Sequence, residues 1–409
     1  MKLLTVKSVD EVKKILIGNF QSIDMYEKVD IDDCLSRVLG QDIFAPEILP
    51  SFSRSSVDGY AVNASDTYGA SESLPAFLEF IGEIKMGTEA ELIGFGQTRY
   101  IPTGGMLPPG ADAVAMVEYT EKLADQVMLY RQVGPGENVI KAGDDVKKGD
   151  FVISKGTVLK EAELGSLAAL GINSVLVYKK PVVGIISTGN ELVSRQVGEL
   201  QKGQIRDINT ILLSSIAKRL GADVFECGIT IDNYDQIFEE ASRLLPEVDI
   251  LLLSGGSSVG TLDFTAQVLE KLSNKNVLVE GIAIKPGKPT LLAKVNNKAI
   301  LGLPGHPVSA MMIFSYFGEI LIDILSGSKD IKVKKICTAL LTRNIPSSAG
   351  RTDWVRVKLE FDQNSYKATP VFGKSGLITT LIGTQGYIEI PPHKEGLEGG
   401  STVDVVFWS

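Results

Sequence analysis

Between residues 180 and 326 the apolar positions switch repeatedly between two periods. Pro181-Val182-Val183-Gly184-Ile185-Ile186-Ser187 is a largely apolar run of strand length, and so is Ile250-Leu251-Leu252-Leu253. Leu212, Leu213, Ile216 and Leu220 instead recur at helical spacing, with Asn209 read as the N-cap and Gly221 as the stop. A strand over 224–231 and a helix over 234–245 continue the alternation. Strand and helix in turn predict a parallel sheet covered on both faces, with ligands at the carboxyl ends of its strands.

Elsewhere the pattern differs. Residues 41–150 are turn-rich and β-prone without a helical period, 160–170 reads as a short helix ended by Gly171, and 175–178 reads as a strand. Trp354-Val355-Arg356-Val357-Lys358-Leu359 alternates like a half-buried strand, and 403–408 is another. The expected fold class is multidomain α/β. A central parallel-sheet domain covers 180–328, and a β-rich domain over 46–139 is inserted in an N-terminal domain made of 1–45 plus 140–179. A small β domain over 332–409 follows a charged linker at 326–335.

Composition narrows the function classes. The 409 residues exceed one ordinary core, so three or more domains are expected, and 44% apolar content is that of a globular chain. No apolar run approaches the roughly 20 residues of a bilayer span, and Met1 to Lys7 lacks the apolar core of a signal peptide. These readings predict a cytoplasmic protein without a membrane partner. The three cysteines, Cys34, Cys227 and Cys337, show neither metal spacing nor a disulfide framework. A formal net charge of −9 opposes nucleic-acid binding.

An acidic chain that handles an anion must focus positive charge locally. Leu251-Leu252-Leu253 runs straight into Ser254-Gly255-Gly256-Ser257-Ser258-Val259-Gly260, a strand ending in a loop whose amides can hold an anion where side chains would block the approach. Ile284-Lys285-Pro286-Gly287-Lys288-Pro289 presents two ammonium groups on a stiff segment. Leu303-Pro304-Gly305-His306-Pro307-Val308-Ser309 repeats the strand, turn and helix start, with Pro307 at the first helical position and the following N–H groups directed outward. Three such edges fit one anionic ligand. Glu191, Asp232 and Asp263 reach the same rim, although either aspartate could equally cap its helix. Carboxylates facing an anion loop repel the ligand unless a hard dication lies between them, so Mg²⁺ is an implied cofactor.

The chain also resembles a known family. Pro50-Ser51-Phe52-Ser53-Arg54-Ser55-Ser56-Val57-Asp58-Gly59-Tyr60-Ala61-Val62 is similar to the signature of the MoeA/gephyrin E-domain family, the molybdopterin molybdenumtransferases. Pro102-Thr103-Gly104-Gly105, Gly134-Pro135-Gly136-Glu137-Asn138 and Ala142-Gly143-Asp144-Asp145 follow in the family's order. The clusters at 187–192, 251–260, 284–289 and 302–309 resemble its MogA-like molybdopterin-binding domain.

The resemblance implies insertion of molybdate into the dithiolene of adenylyl-molybdopterin with release of AMP. It also implies a homodimer whose site joins the molybdopterin-binding domain of one subunit to the N-terminal region of the other. The molybdopterin adenylyltransferase and chaperones of molybdenum enzymes are the partner proteins it suggests. Carried over by motif, Asp58 and Thr103 are the N-terminal contributors. Asp145, Glu191, Asp232 and Asp263 serve AMP release, the last three as Mg²⁺ ligands. Lys285 and Lys288 bind phosphate or molybdate, and Ser375 in Gly373-Lys374-Ser375-Gly376 reaches the site from the tail domain. Ser254, Gly255, Gly256, Ser257, Gly260, Pro304, Gly305 and His306 complete the binding set.

The chain departs from the family pattern at Val57, Asn190, Ser257, Gly281 and His306, where many members carry methionine, an acidic residue, valine, a cation and asparagine respectively. The departures leave the choice between molybdate and tungstate open. Two other readings stand beside the main one: a molybdopterin adenylyltransferase, and a non-catalytic molybdopterin-binding scaffold.

Overall fold

The computed structural model describes residues 5–255, 262–329, 336–362 and 365–408, leaving aside the side chains at 226, 227, 262 and 263. It divides into two units, one made of Asp42–Lys155 with Glu161–Asn173 and the other of Met1–Gln41, Gly156–Lys160 and Ser174–Ser409.

The smaller unit is built on a six-stranded sheet in which Gly59–Val62 lies between Ala113–Met116 and Gln97–Ile101. Gly59 lets these strands close up, since a Cβ there would meet the Ala115 carbonyl oxygen at 2.0 Å. Val62, Leu78, Ala113, Val127 and Leu129 form the core of this sheet. Between Asp42 and Asp150 the regular elements are strands and short 3₁₀ turns, and a helix at Glu161–Ala169 follows.

In the larger unit we number the central-sheet strands β1 (Val182–Thr188), β2 (Asp223–Thr230), β3 (Ile250–Gly255), β4 (Val277–Val279), β5 (Leu291–Val295) and β6 (Lys298–Leu303). Their spatial order is β2-β1-β3-β6-β5-β4. The first four in that order are mutually parallel, but β5 pairs antiparallel with β6 and β4 antiparallel with β5. The expected all-parallel sheet is therefore corrected at one edge. The reason is local: only Asn296-Asn297 separates β5 from β6, with Asn296 at φ +53°, and so short a connection permits a hairpin alone.

The alternation along β3 explains its apolar run. Ile250 and Leu252 join the core on one face, with Leu213 and Ile216 of α2 (Asn209–Arg219), while Leu251 and Leu253 join the other, with Ile237 and Leu244 of α3 (Tyr234–Leu244). A buried leucine in such a layer costs about 2–5 kcal/mol when cut to alanine. The first face also takes α1 (Val9–Asn19), whose Val9, Val12 and Leu16 are buried. Ser8 and Glu11 form a capping box at its start, a helix signal that the spacing Ser-x-x-Glu carries in the sequence.

The helical segment Pro307–Leu325 has a mean hydropathy of 1.7 and, at 19 residues, is long enough to cross a bilayer. This overturns the expectation that no apolar run approaches that length. Burial accounts for it, because 83% of the segment is enclosed and its Val308, Phe314, Phe317 and Leu321 belong to the core of the sheet.

The tail strands Ile336–Leu341, Thr352–Asp362, Ser365–Pro370, Gly386–Ile390 and Thr402–Phe407 close on themselves, since Thr352–Asp362 pairs with both Ser365–Pro370 and Gly386–Ile390. The short strand Ile284–Lys285 adds to this barrel through Thr352 and Asp353. It brings the Lys285 segment beside the tail.

Candidate functional site

The carboxyl ends of β1, β3 and β6 surround a cavity of about 350 Å³. Gly255 ends β3 at φ +150°, and a Cβ there would meet the Thr188 carbonyl and hydroxyl oxygens at 2.2 Å, so only glycine lets the two strand ends approach this closely. Asn209 ties the other loops together. Its Nδ2 donates to Ser254 Oγ at 2.9 Å and to the Gly305 carbonyl at 2.8 Å. Asn209 is 8% exposed and its Oδ1 has no hydrogen-bond partner among the described residues.

Asn209 is thus the first helical residue and not the expected N-cap. Asp207 does the capping, accepting from the Thr210 N–H and hydroxyl and from Ser187 Oγ. The carboxamide is freed for the cavity because a buried carboxylate two residues earlier has taken the Thr210 amide.

Glu191 and Asp232 line the same cavity as Ser254, Gly255, Gly305 and His306. Burial, together with the charge of Glu191, holds the Asp232 carboxyl above the usual carboxylate range. Asp232 does not cap α3. That role belongs to Asn233, whose Oδ1 accepts from the Gln236 N–H. Asn190 accepts from the Asp232 N–H at 3.1 Å, so the departure at 190 helps hold the loop that carries this carboxylate. Two facing carboxylates, one raised by burial and by the other, suit a hard dication that keeps several waters and shares a ligand's phosphate oxygens. The described residues contain no group of three His, Cys, Asp or Glu able to hold a metal. Gly256, Ser257 and Gly260 lie outside the described residues, as does the side chain of Asp263.

A second cavity, of about 310 Å³, lies between the Lys285 segment and the barrel. Arg356 lines it at 6% exposure. Its Nη2 makes long contacts of 3.4 Å to the Val371 and Gly373 carbonyls, while Nη1 has no partner among the described residues. Burial lowers the pKa of this guanidinium. The carboxylate in the same wall, Asp353, is taken by Arg351 at 3.0 Å and by Lys285 at 3.4 Å. A buried cation left short of acceptors beside an open space is a receptor for an anion.

The two cavities meet where Ser375, which lines the second, contacts His306, which lines the first. Ser375 Oγ lies 2.9 Å from His306 Nδ1, and the Ser375 carbonyl accepts the Val308 N–H at 3.1 Å. That amide, expected to point free toward a ligand, is consumed by the tail loop. The side chain of His306 makes no capping bond.

Several expected site residues stand apart. Lys285, 57% exposed, lines the second cavity and not the first, so the three edges do not close on a single pocket. Lys288 is exposed and Pro304 buried, and neither lines either cavity. In the smaller unit Asp58 Oδ1 accepts from the Thr103 N–H at 2.7 Å and from its hydroxyl at 3.0 Å, bonds that hold the exposed carboxyl below the usual range. Asp145 is exposed in the same unit, its N–H bonded to the Leu49 carbonyl.

Comparison with known proteins agrees with this architecture. Residues 7–171 match the MoeA N-terminal region (domain I and II), 184–323 a "Probable molybdopterin binding domain", and 338–408 the MoeA C-terminal region (domain IV). The molybdopterin molybdenumtransferase of Bacillus subtilis is 35% identical over 408 residues, covering 97% of this chain and 93% of the relative. The chain belongs to the MoeA family. The molybdopterin molybdenumtransferase of Haemophilus influenzae is 32% identical, with 97% and 98% of the two chains covered. The crystal structure of the molybdopterin biosynthesis moeA protein of Pyrococcus horikoshii superposes with a TM-score of 0.85 at 31% identity, covering 99% of this chain and all of that one.

Within this MoeA-family fold, three site residues escaped the sequence reading. Asp207 and Asn209 carried a signal, the polar cluster Arg206-Asp207-Ile208-Asn209 set against an apolar helix face. Arg356 carried a weaker one, a cation flanked by Val355 and Val357, which marks the residue as unusual but not as a receptor.

Proposed function

We propose that this chain inserts molybdate into the dithiolene of adenylyl-molybdopterin and releases AMP, with the two cavities dividing the substrates. The cavity at the sheet edge takes the pterin nucleotide, and the Arg356 cavity takes the oxyanion. The single observation that carries this division is the buried Arg356 guanidinium with its unpartnered Nη1. A tetrahedral dianion supplies the acceptor that Arg356 Nη1 lacks among the described residues, in a cavity whose lining also carries Lys285 and Ser375.

In the first cavity Asn209 and Asp207 fix the loop ends, so ligand binding does not have to order them. Glu191 and Asp232 would hold Mg²⁺, with Asp263 the third ligand that the family pattern suggests. When bound, the metal offsets the negative charge that develops on the departing AMP. Asp58, Thr103 and Asp145 complete the site from a second subunit of a homodimer, and the reaction belongs to the cytoplasm. Family membership favours this reading over the adenylyltransferase and the scaffold.

Purified protein supplied with adenylyl-molybdopterin, molybdate and Mg²⁺ is expected to release AMP and yield active cofactor, and to release far less AMP when Mg²⁺ is withheld. Liquid chromatography of the nucleotides checks this. A mixture complete in all three that produces no AMP defeats the assignment.

A further inference from the structure

His306 is one of two histidines in the chain and stands where many family members carry asparagine. The ring is exposed, lines the cavity at the sheet edge, and meets through Nδ1 the hydroxyl of Ser375, which lines the other cavity. A serine hydroxyl has one proton to give. When Nδ1 carries a lone pair, Ser375 donates to the ring and can only accept from anything else. In the neutral ring the two tautomers compete for this arrangement. Once both nitrogens are protonated, Nδ1 must donate to Oγ, and the Ser375 proton turns to a different acceptor.

An oxyanion offers acceptors only. We propose that His306 is a positioning residue that makes Ser375 a donor, so that oxyanion capture beside Arg356 takes up a proton on the imidazole. This rests on the reading of the Arg356 cavity as the oxyanion site. Glu191, Asp207, Asp232 and Arg206 line the cavity that the ring shares, and Lys285, Lys374, Arg356 and Asp353 line the one that Ser375 shares. A dianion bound among the latter brings negative charge and free acceptors to the Ser375 hydroxyl. Oxyanion and proton therefore bind cooperatively, and the coupling is reciprocal.

The test is calorimetric titration with dilute molybdate between about pH 8 and about pH 5.5, the window in which histidines exchange their proton. Titrations in two buffers of different ionisation enthalpy count the protons taken up. Wild-type protein is expected to bind molybdate about tenfold more tightly at the acid end, the lower end of what one hydrogen bond to a charged acceptor is worth, with net proton uptake. His306→Asn, which carries the residue common in the family, is expected to lose both the slope and the uptake while keeping the wild-type melting temperature. Ser375→Ala retains the imidazole charge and is expected to lose most of the slope. Protonation of molybdate itself is common to all three proteins and cancels in the comparison. An equal slope in wild type and His306→Asn overturns the role of His306 alone. Absence of molybdate binding to any of the proteins at any pH overturns the oxyanion assignment and this inference together.

Discussion

The cavity at the sheet edge carries Glu191, Asp207 and Asp232 against Arg206, whereas its neighbour carries Lys285, Lys374 and Arg356 against Asp353. Both are lined by residues of one unit and share the Ser375 loop, yet they pose opposite electrostatic problems. The acidic one repels a phosphate until a cation enters. The basic one holds a guanidinium at 6% exposure that an anion would relieve. The difference teaches that one ligand path can contain two kinds of anion receptor, one requiring a metal and one requiring none.

The largest expected effect breaks the comparison at its basic side. Arg356→Met keeps much of the side-chain volume and removes the charge, and is expected to weaken molybdate binding by about 100-fold, the order of losing a desolvated charged contact. Binding of AMP in the other cavity is expected to stay within about twofold, by calorimetry. A comparable loss of both ligands would show that the cavities act as one.

Asn209→Ala probes the acidic side. It removes the two bonds that join Ser254 and Gly305, leaving the Gly305 carbonyl short of a donor at a cost of about 1–3 kcal/mol. Expected are a melting temperature lower by several degrees and a nucleotide affinity reduced about tenfold, with molybdate affinity unchanged. Intact nucleotide affinity would relegate Asn209 to a purely architectural part.

Asp232→Asn gives the smallest effect. The Asp232 carboxyl sits above its unfolded value because of burial and Glu191. Between the two values the native state binds the extra proton, so stability falls as pH rises through that window, and the repulsion is fully present at neutral pH. Without metal the variant is expected to melt about 1–2 °C higher than wild type near pH 7, the modest gain of a partly exposed site. The gain should vanish below both values, near about pH 3. Addition of Mg²⁺ should reverse the order by stabilising wild type alone, and a variant less stable than wild type without metal would remove the case for mutual repulsion.

What the sequence disclosed depended on whether a residue obeyed its local pattern. The apolar run of β3 and the helical spacing of Leu213, Ile216 and Leu220 announced the sheet and its covering helices, because burial on two faces leaves no polar phase. The glycine at 255 marked a strand end for the same reason, a close approach written into one residue. Arg356 was illegible as a receptor, since its neighbours in space arrive from residue 285 and from the loop at 373–375, and no local period encodes that meeting. Asn209 misled in an instructive way. Its position suited a cap, but Asp207 occupied that function and left the carboxamide a different task. The antiparallel sheet edge is set by a two-asparagine turn, a local signal that the global alternation of strand and helix does not display.

The apolar segment Pro307–Leu325 has a further bearing on how the chain is made. Its cover includes α1, β1, β3 and β6, all of which precede it in the polypeptide. As it leaves the ribosome, those four elements have already been translated, whereas the Trp354 ring that packs on Tyr316 and Phe317 follows later with the barrel. A stretch greasy enough to be taken for a membrane anchor is thus delivered to a berth already translated on one side, which the barrel then closes on the other.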